Sequence, residues 1–191
     1  VLLAAGGPGT EIPLSAKFAG NDNMADGAGT ATVNITAVAK AEKDGKVIGY
    51  YGESNLDDAF TNDGATVTLL ADVKRANTLT IKANCTLDLG GHTITFTDSG
   101  NVWVQGSVTA MTIRGEGEII SEQSHALVVA GSVTLEGGTF TSNKGDYAGV
   151  YVNGGTLSVT GKNVVIQNTG SGYGLAVNNA QSVQLSGGTY S

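Results

Sequence analysis

A single cysteine, two prolines and two histidines stand among 191 residues, and charged side chains make up only 14% of the chain. The lone cysteine rules out an internal disulfide and a cysteine-built zinc site. Apolar runs stay well short of the ~18–20 residues that a membrane-spanning helix needs, so membrane insertion is not expected. Basic residues number 10 against 17 acidic ones, a net charge of −7. A chain of that sign does not favour nucleic acid or an anionic membrane as partner. Aromatics are scarce at 6%, yet hydrophobic residues reach 40%, which argues against a disordered low-complexity chain. What the chain has in excess is glycine: 29 residues, about double the ordinary ~7% usage.

Much of that glycine belongs to a repeat. One cassette reads Leu87-Asp-Leu89-Gly-Gly-His-Thr-Ile94, and returns at Thr112–Ile119, Val133–Phe140, Leu157–Val164 and Val183–Tyr190. Its glycine falls at Gly91, Gly115, Gly137, Gly161 and Gly187, with spacings of 24, 22, 24 and 26. A second cassette keeps step: Leu79-Thr-Ile81, Val102-Trp-Val104, Leu127-Val-Val129, Val150-Tyr-Val152 and Leu175-Ala-Val177. Short alternating segments separated by Gly or Asn read as strands and turns, and the period leaves no room for a helix in each repeat. A leucine-rich repeat shares the period but needs a consensus line that is absent.

The pattern therefore predicts an all-β parallel β-helix of about five coils, each stacked ~4.8 Å above the last. The expected inward columns are Ile81/Val104/Val129/Val152/Val177 and Leu89/Ile113/Leu135/Val159/Leu185. Gly106, Gly131, Gly154 and Asn179 follow at a fixed offset and read as a left-handed corner. Residues 54–61 read as a short capping helix, followed by a strand at Ala65–Leu70. Such a cap would cover the open end of the first coil. Residues 1–47 form a separate N-terminal segment, in which Glu11–Phe18 and Ala31–Ala37 alternate as a β-hairpin around a polar loop. Two strands alone do not make a stable domain. The segment is either the tail of a β-sandwich module or a piece that packs onto the β-helix of residues 48–191.

The stretch Thr66-Val-Thr-Leu-Leu-Ala-Asp-Val73, with Leu79-Thr-Ile81 and Thr86-Leu-Asp-Leu-Gly-Gly-His-Thr-Ile94, resembles the opening of right-handed, pectate-lyase-like β-helix regions in large bacterial surface and secreted proteins. Residues 11–37 are similar to the last hairpin of the immunoglobulin-like modules that often precede such regions. The resemblance covers roughly residues 48–191 and implies an extracellular or cell-surface place. It also implies an enzyme class to weigh: lyases and hydrolases of this fold act on acidic polysaccharides with calcium or paired carboxylates. Fold alone does not assign such an activity.

Stacking supplies a test for catalysis, since outward neighbours on adjacent coils lie about as far apart as the carboxylates of a retaining glycosidase. The columns Gly90/Arg114/Glu136/Thr160/Ser186 and His92/Glu116/Gly138/Lys162/Gly188 stack no two acids. Arg114 and Glu136 read instead as a surface ion pair. In the loops, Asp98, Glu122 and Asp146 recur at 24 and 24, a set that could offer oxygen ligands to calcium; solvated turn residues are the plainer reading. Asp22 and Asp26 form a weaker pair. Cys85 alternates in phase with Leu87 and Leu89, as a buried small hydrophobe would. His92 reads as a corner residue held by a structural hydrogen bond, and His125 as a loop residue without an acid to orient it. The patterns Asn34-Ile-Thr36 and Asn84-Cys-Thr86 match glycosylation acceptors but carry little weight in a bacterial protein.

The outward positions of the second cassette are unexpectedly apolar: Thr80, Trp103, Val128, Tyr151, Ala176. Trp103, Val128 and Tyr151 form a stripe that either binds a ligand, with glycans the natural class for flat aromatic faces, or is covered by a loop or by the hairpin. The leading expectation is thus a non-catalytic, adhesin-like or stalk module, secreted or at the cell surface, that binds glycans or a host surface and needs no cofactor. The alternative is a polysaccharide lyase or glycoside hydrolase using Asp98, Glu122 and Asp146, with calcium. The last coil, written as incomplete at Ser191, is further expected to permit self-association.

Overall fold

The computed structural model describes the backbone of residues 11–18, 27–34 and 36–191, and side chains from residue 36 onward. Two compact units divide between Ala37 and Val38. In the first, β1 (Glu11–Phe18) pairs antiparallel with β2 (Gly27–Asn34), from Glu11↔Asn34 to Phe18↔Gly27. The hairpin is thus present, with its second strand beginning earlier than the alternation from Ala31 suggested. Asp22 and Asp26 lie outside the described residues.

The second unit is a parallel β-helix of about five coils built from three sheets. A five-stranded sheet stacks Leu79–Ile81, Val102–Val104, Leu127–Val129, Ala148–Asn153 and Tyr173–Asn178 in parallel. An eight-stranded sheet holds Thr66–Leu69, Thr86–Asp88, Met111–Arg114, Ser132–Leu135, Thr156–Val159 and Ser182–Leu185, extended at one edge by the antiparallel pair β3 (Ala39–Lys43) and β4 (Lys46–Tyr51). A six-stranded sheet runs from Val73–Arg75 to Thr189–Tyr190. Because β3 pairs with Thr66–Leu69, residues 38–47 join the β-helix sheet, and the division falls earlier than the change of pattern at 47/48.

Alternation decides which side chains enter the core. Leu79, Val102, Leu127 and Val150 stack as one fully buried column, and Ile81, Val104, Val129 and Val152 as another. On the eight-stranded sheet the inward column is Val67/Leu87/Ile113/Leu135/Val159; Leu185 follows it in register but, like Val177 on the five-stranded sheet, is about half exposed on the last coil instead of buried as expected. The place expected for Leu89 thus belongs to Leu87. Asp88 consequently sits beside Arg114, and their ion pair at 3.0 Å replaces the Arg114–Glu136 pair expected from spacing. The reason is a corner of variable length. Leu89–Gly91 intervene before the six-stranded sheet in the first coil, Gly115–Glu116 in the second, and Gly137 alone in the third. His92 therefore aligns with Gly117, not with Glu116. Gly90 and Gly91 absorb the extra length with φ of 57° and 82°.

The other corner also departs from a uniform pattern. Gly154 and Asn179 are left-handed, as expected, with φ of 80° and 50°, whereas Gly106 and Gly131 are not. Gly131 is needed for a different reason, since a Cβ there would collide with the carbonyl oxygens of Gln105 and Val108.

The first coil is covered by a 3-10 helix, Glu53–Thr61, that buries Leu56, Ala59 and Phe60. Its Ser, Asn and Asp residues favour local side-chain bonds over a regular α-helix, which suits the tighter form. Carboxylates stand where a preceding coil would offer carbonyls. Glu53 accepts from Lys74 N–H (2.9 Å), Asp57 from Thr80 N–H (3.1 Å), and Asp63 from Asn84 N–H (2.8 Å). Asp57 also holds Arg75 at 2.7 Å.

Inside the loops that lead to the five-stranded sheet, one polar column replaces the apolar pattern: Ser121, Ser142 and Asn168 lie in register after Phe96. Ser142 Oγ donates to Ser124 O (2.8 Å), and Asn168 Nδ2 donates to the carbonyls of Lys144 and Tyr147 (2.8 Å each). These bonds tie down the loop backbones that would otherwise be unsatisfied in the interior.

The two kinds of glycine separate in a stability measurement. A Cβ on Gly137 would lie 2.7 Å from the Gly115 carbonyl oxygen, while one on Gly154 meets nothing within 4 Å. Gly137→Ala is expected to cost about 1–3 kcal/mol in denaturant unfolding, as overpacking does. Gly154→Asn, which copies Asn179 one coil on, should change stability by less than about 0.5 kcal/mol.

Candidate functional site

The stripe read from sequence is assembled by the register of the five-stranded sheet. Thr80, Trp103, Val128, Tyr151 and Ala176 are direct partners on successive coils, side by side at the ~4.8 Å strand spacing. Trp103 is 40% exposed, and Val128 and Tyr151 are half-buried. None of the five strands of this sheet contains Asp, Glu, Lys or Arg. The eight-stranded sheet, by contrast, carries Lys40, Glu42, Asp88 and Arg114, and the six-stranded sheet Lys74, Arg75 and Glu118.

Tyr151 is not a free ring. His125 stacks on it with centroids 4.5 Å apart and an interplanar angle of 19°, and Tyr147 in turn meets His125 edge-on at 4.9 Å. The Tyr151 hydroxyl accepts from Asn178 Nδ2 at 3.1 Å, and Asn178 also reaches Asn153 Oδ1 at 3.4 Å. His125 itself is fixed by Ala148 N–H, which donates to Nδ1 at 2.8 Å. That lone pair is available only while Nδ1 carries no proton, so the neutral imidazole here holds its proton on Nε2. Burial pushes its pKa below the ordinary histidine value. His125, expected as an unoriented loop residue, is oriented by a backbone N–H and stacks on the Tyr151 ring. The amides were legible in retrospect, because Asn153 and Asn178 stand two positions after Tyr151 and Ala176 and so share their face.

The three carboxylates considered for calcium do not converge. Glu122 follows Ser121 directly, Asp98 comes two residues after Phe96, and Asp146 four after Ser142, although Phe96, Ser121 and Ser142 are the residues in register. The equal spacing of 24 thus falls on unequal loop positions. Asp98 accepts from the neighbouring Ser99 N–H at 2.8 Å. Among the described residues no three His, Cys, Asp or Glu side chains form a group that could hold a metal ion.

The remaining single residues have structural partners. Cys85 is buried, its Sγ 3.6 Å from Met111 Sδ, and its thiol is pushed up to about 12 by burial and by the charge of Asp63. His92 Nδ1 lies 3.4 Å from Asp72 Oδ1 at the corner. Asn84 Oδ1 accepts from the backbone N–H groups of Thr109 and Ala110. A shallow cleft of about 350 Å³ lies on the glycine corner between Gly115 and Gly138, flanked by Glu116 and Glu136. Compared with family models, with curated proteins and with solved structures, the chain matches none of them.

Two outcomes follow from the buried groups. Native protein should leave Cys85 unmodified by a thiol-specific disulfide reagent at neutral pH, and denatured protein should titrate one thiol per chain. A histidine whose folded pKa is lowered stabilises the fold above its unfolded pKa of about 6.5, and that contribution is lost as pH falls through the folded value. The melting temperature should therefore fall on acidification below about pH 6.5, and less steeply in His125→Gln, which keeps an acceptor that does not titrate.

Proposed function

We propose that this chain is a non-catalytic binding module of a secreted or cell-surface protein, an adhesin-like or stalk-like β-helix of the pectate-lyase-like kind, and that it takes glycans on its five-stranded sheet. The observation that carries the reading is the in-register set Trp103, Val128 and Tyr151 on a sheet without charged residues. A partly exposed indole two coils from a braced phenol, with Val128 between them, gives sugar rings an apolar platform. Stacked coils make the surface rigid along its length, which suits an extended ligand and lowers the ordering cost of binding. The same geometry supports the stalk role, since each coil adds a rung along one axis.

A glycan array tests it. Wild type should give specific signals, Trp103→Ala should weaken them about tenfold or more, and Arg114→Ala on the eight-stranded sheet should leave them intact. Equal signals from wild type and Trp103→Ala would remove the glycan reading and leave only the stalk.

A further inference from the structure

The reading above leaves the chemistry of the glycan open, and the face itself narrows it. We infer that the ligand is an uncharged glycan chain lying along the coil stack, with Trp103 as its platform and the Asn153 and Asn178 amides as the groups that read its hydroxyls. The inference rests on the glycan reading and deepens it.

Charge is the first discriminator. The protein carries −7 overall, yet the strands of this sheet carry no charge of either sign. The flanking outward positions are Lys82, Gln105, Ala130, Asn153 and Asn178, so one base stands at the first coil and amides at the second, fourth and fifth. A uronate, sialate or sulfate laid over Val128 and Tyr151 would lose water and gain no counter-charge, within an acidic molecule that repels it. A polycation would find no carboxylate there.

The amides argue against a purely apolar partner as well. Asn153 and Asn178 are exposed, and covering them with hydrocarbon would strand Asn153 Nδ2 and Asn178 Oδ1, the amide atoms outside their mutual bond. A polyhydroxylated ring satisfies both halves of the surface: its C–H face packs on Trp103 and Val128, while its hydroxyls meet the amides and the Tyr151 hydroxyl. That hydroxyl is already oriented by Asn178, and the ring behind it is fixed by His125. Trp103 and Tyr151 are two coils apart, about 9.6 Å at the strand spacing, close to the length of a disaccharide unit.

The test sets neutral glycans (glucans, xylans, mannans and galactans) beside uronate-, sialate- and sulfate-bearing ones on one array, at about 0.05 M and about 0.5 M salt. The expected result is binding to neutral chains that hardly changes with salt, is lost in Trp103→Ala, and drops about fivefold in Asn178→Ala. Matching thermal melts keep a folding defect from imitating that loss. Trp103-dependent binding that prefers acidic glycans and weakens with salt would overturn the neutral assignment while sparing the glycan reading. Neutral binding indifferent to Asn178→Ala and Asn153→Ala would overturn the role of the amides. The absence of any Trp103-dependent signal would overturn both readings together.

Discussion

Every property of the β-helix unit depends on one constraint: successive coils must pair in parallel, in register, so that each strand finds its hydrogen-bond partners on the coils above and below. A single coil of short strands cannot bury its own apolar side, and only the stack closes the interior. Register then turns sequence position into geometry. Once Val102 pairs with Leu79 and Leu127, Trp103 has no choice but to stand between Thr80 and Val128, pointing outward. The same rule sends Leu87, Ile113, Leu135 and Val159 inward as a continuous aliphatic column. Sites on such a fold are therefore properties of columns more than of single residues.

A stack held by backbone pairing has ends, and the first end here is handled chemically. The 3-10 helix supplies Leu56, Ala59 and Phe60 as a floor for the core, while Glu53, Asp57 and Asp63 accept the N–H groups of the strands and turns above. Charge-assisted bonds of this kind are stronger than neutral ones, and an acidic cap also discourages another strand from docking at that edge. Part of the acidic balance of the chain is thus structural. It need not announce a metal site, and the scattered loop positions of Asp98, Glu122 and Asp146 agree with that view.

How much was legible in the sequence follows from where the coil length is constant. The register of the five-stranded sheet was read correctly, and its inward column from Ile81 to Val152 with it, because its strands pair directly with no insertion between them; Val177, expected to close that column, is about half exposed on the last coil. The glycine corner was misread by two residues at the first coil because Gly90 and Gly91 let the chain take a longer turn there. Spacing counts residues, whereas register is set by hydrogen bonds, and the two part company wherever left-handed glycines absorb length. Asp98, Glu122 and Asp146, equally spaced in sequence, stand at unequal places in their loops. His125 read as an unoriented loop residue for another reason: a histidine that works by stacking and by accepting one backbone N–H leaves no motif, only a place next to a ring one coil away.

The three sheets show how one backbone rule can carry three surfaces. On the eight-stranded sheet the outward column Thr66/Thr86/Thr112/Thr134/Ser158 is a ladder of hydroxyls, edged by the Asp88–Arg114 pair. On the six-stranded sheet Gln167 donates to Thr141, which donates to Glu118, so neighbouring polar groups satisfy one another. Among the described residues, only the five-stranded sheet leaves a large aromatic group partly in water without a charged neighbour on its own strands. An exposed indole costs hydration free energy that a purely structural surface would avoid by using another threonine. The bracing behind Tyr151 adds to that asymmetry, because a ring held by a stacked imidazole and an amide has already given up the side-chain freedom that binding would otherwise take from it. That stiffness, on strands without charged residues, is what the proposed contact with a ligand rests on.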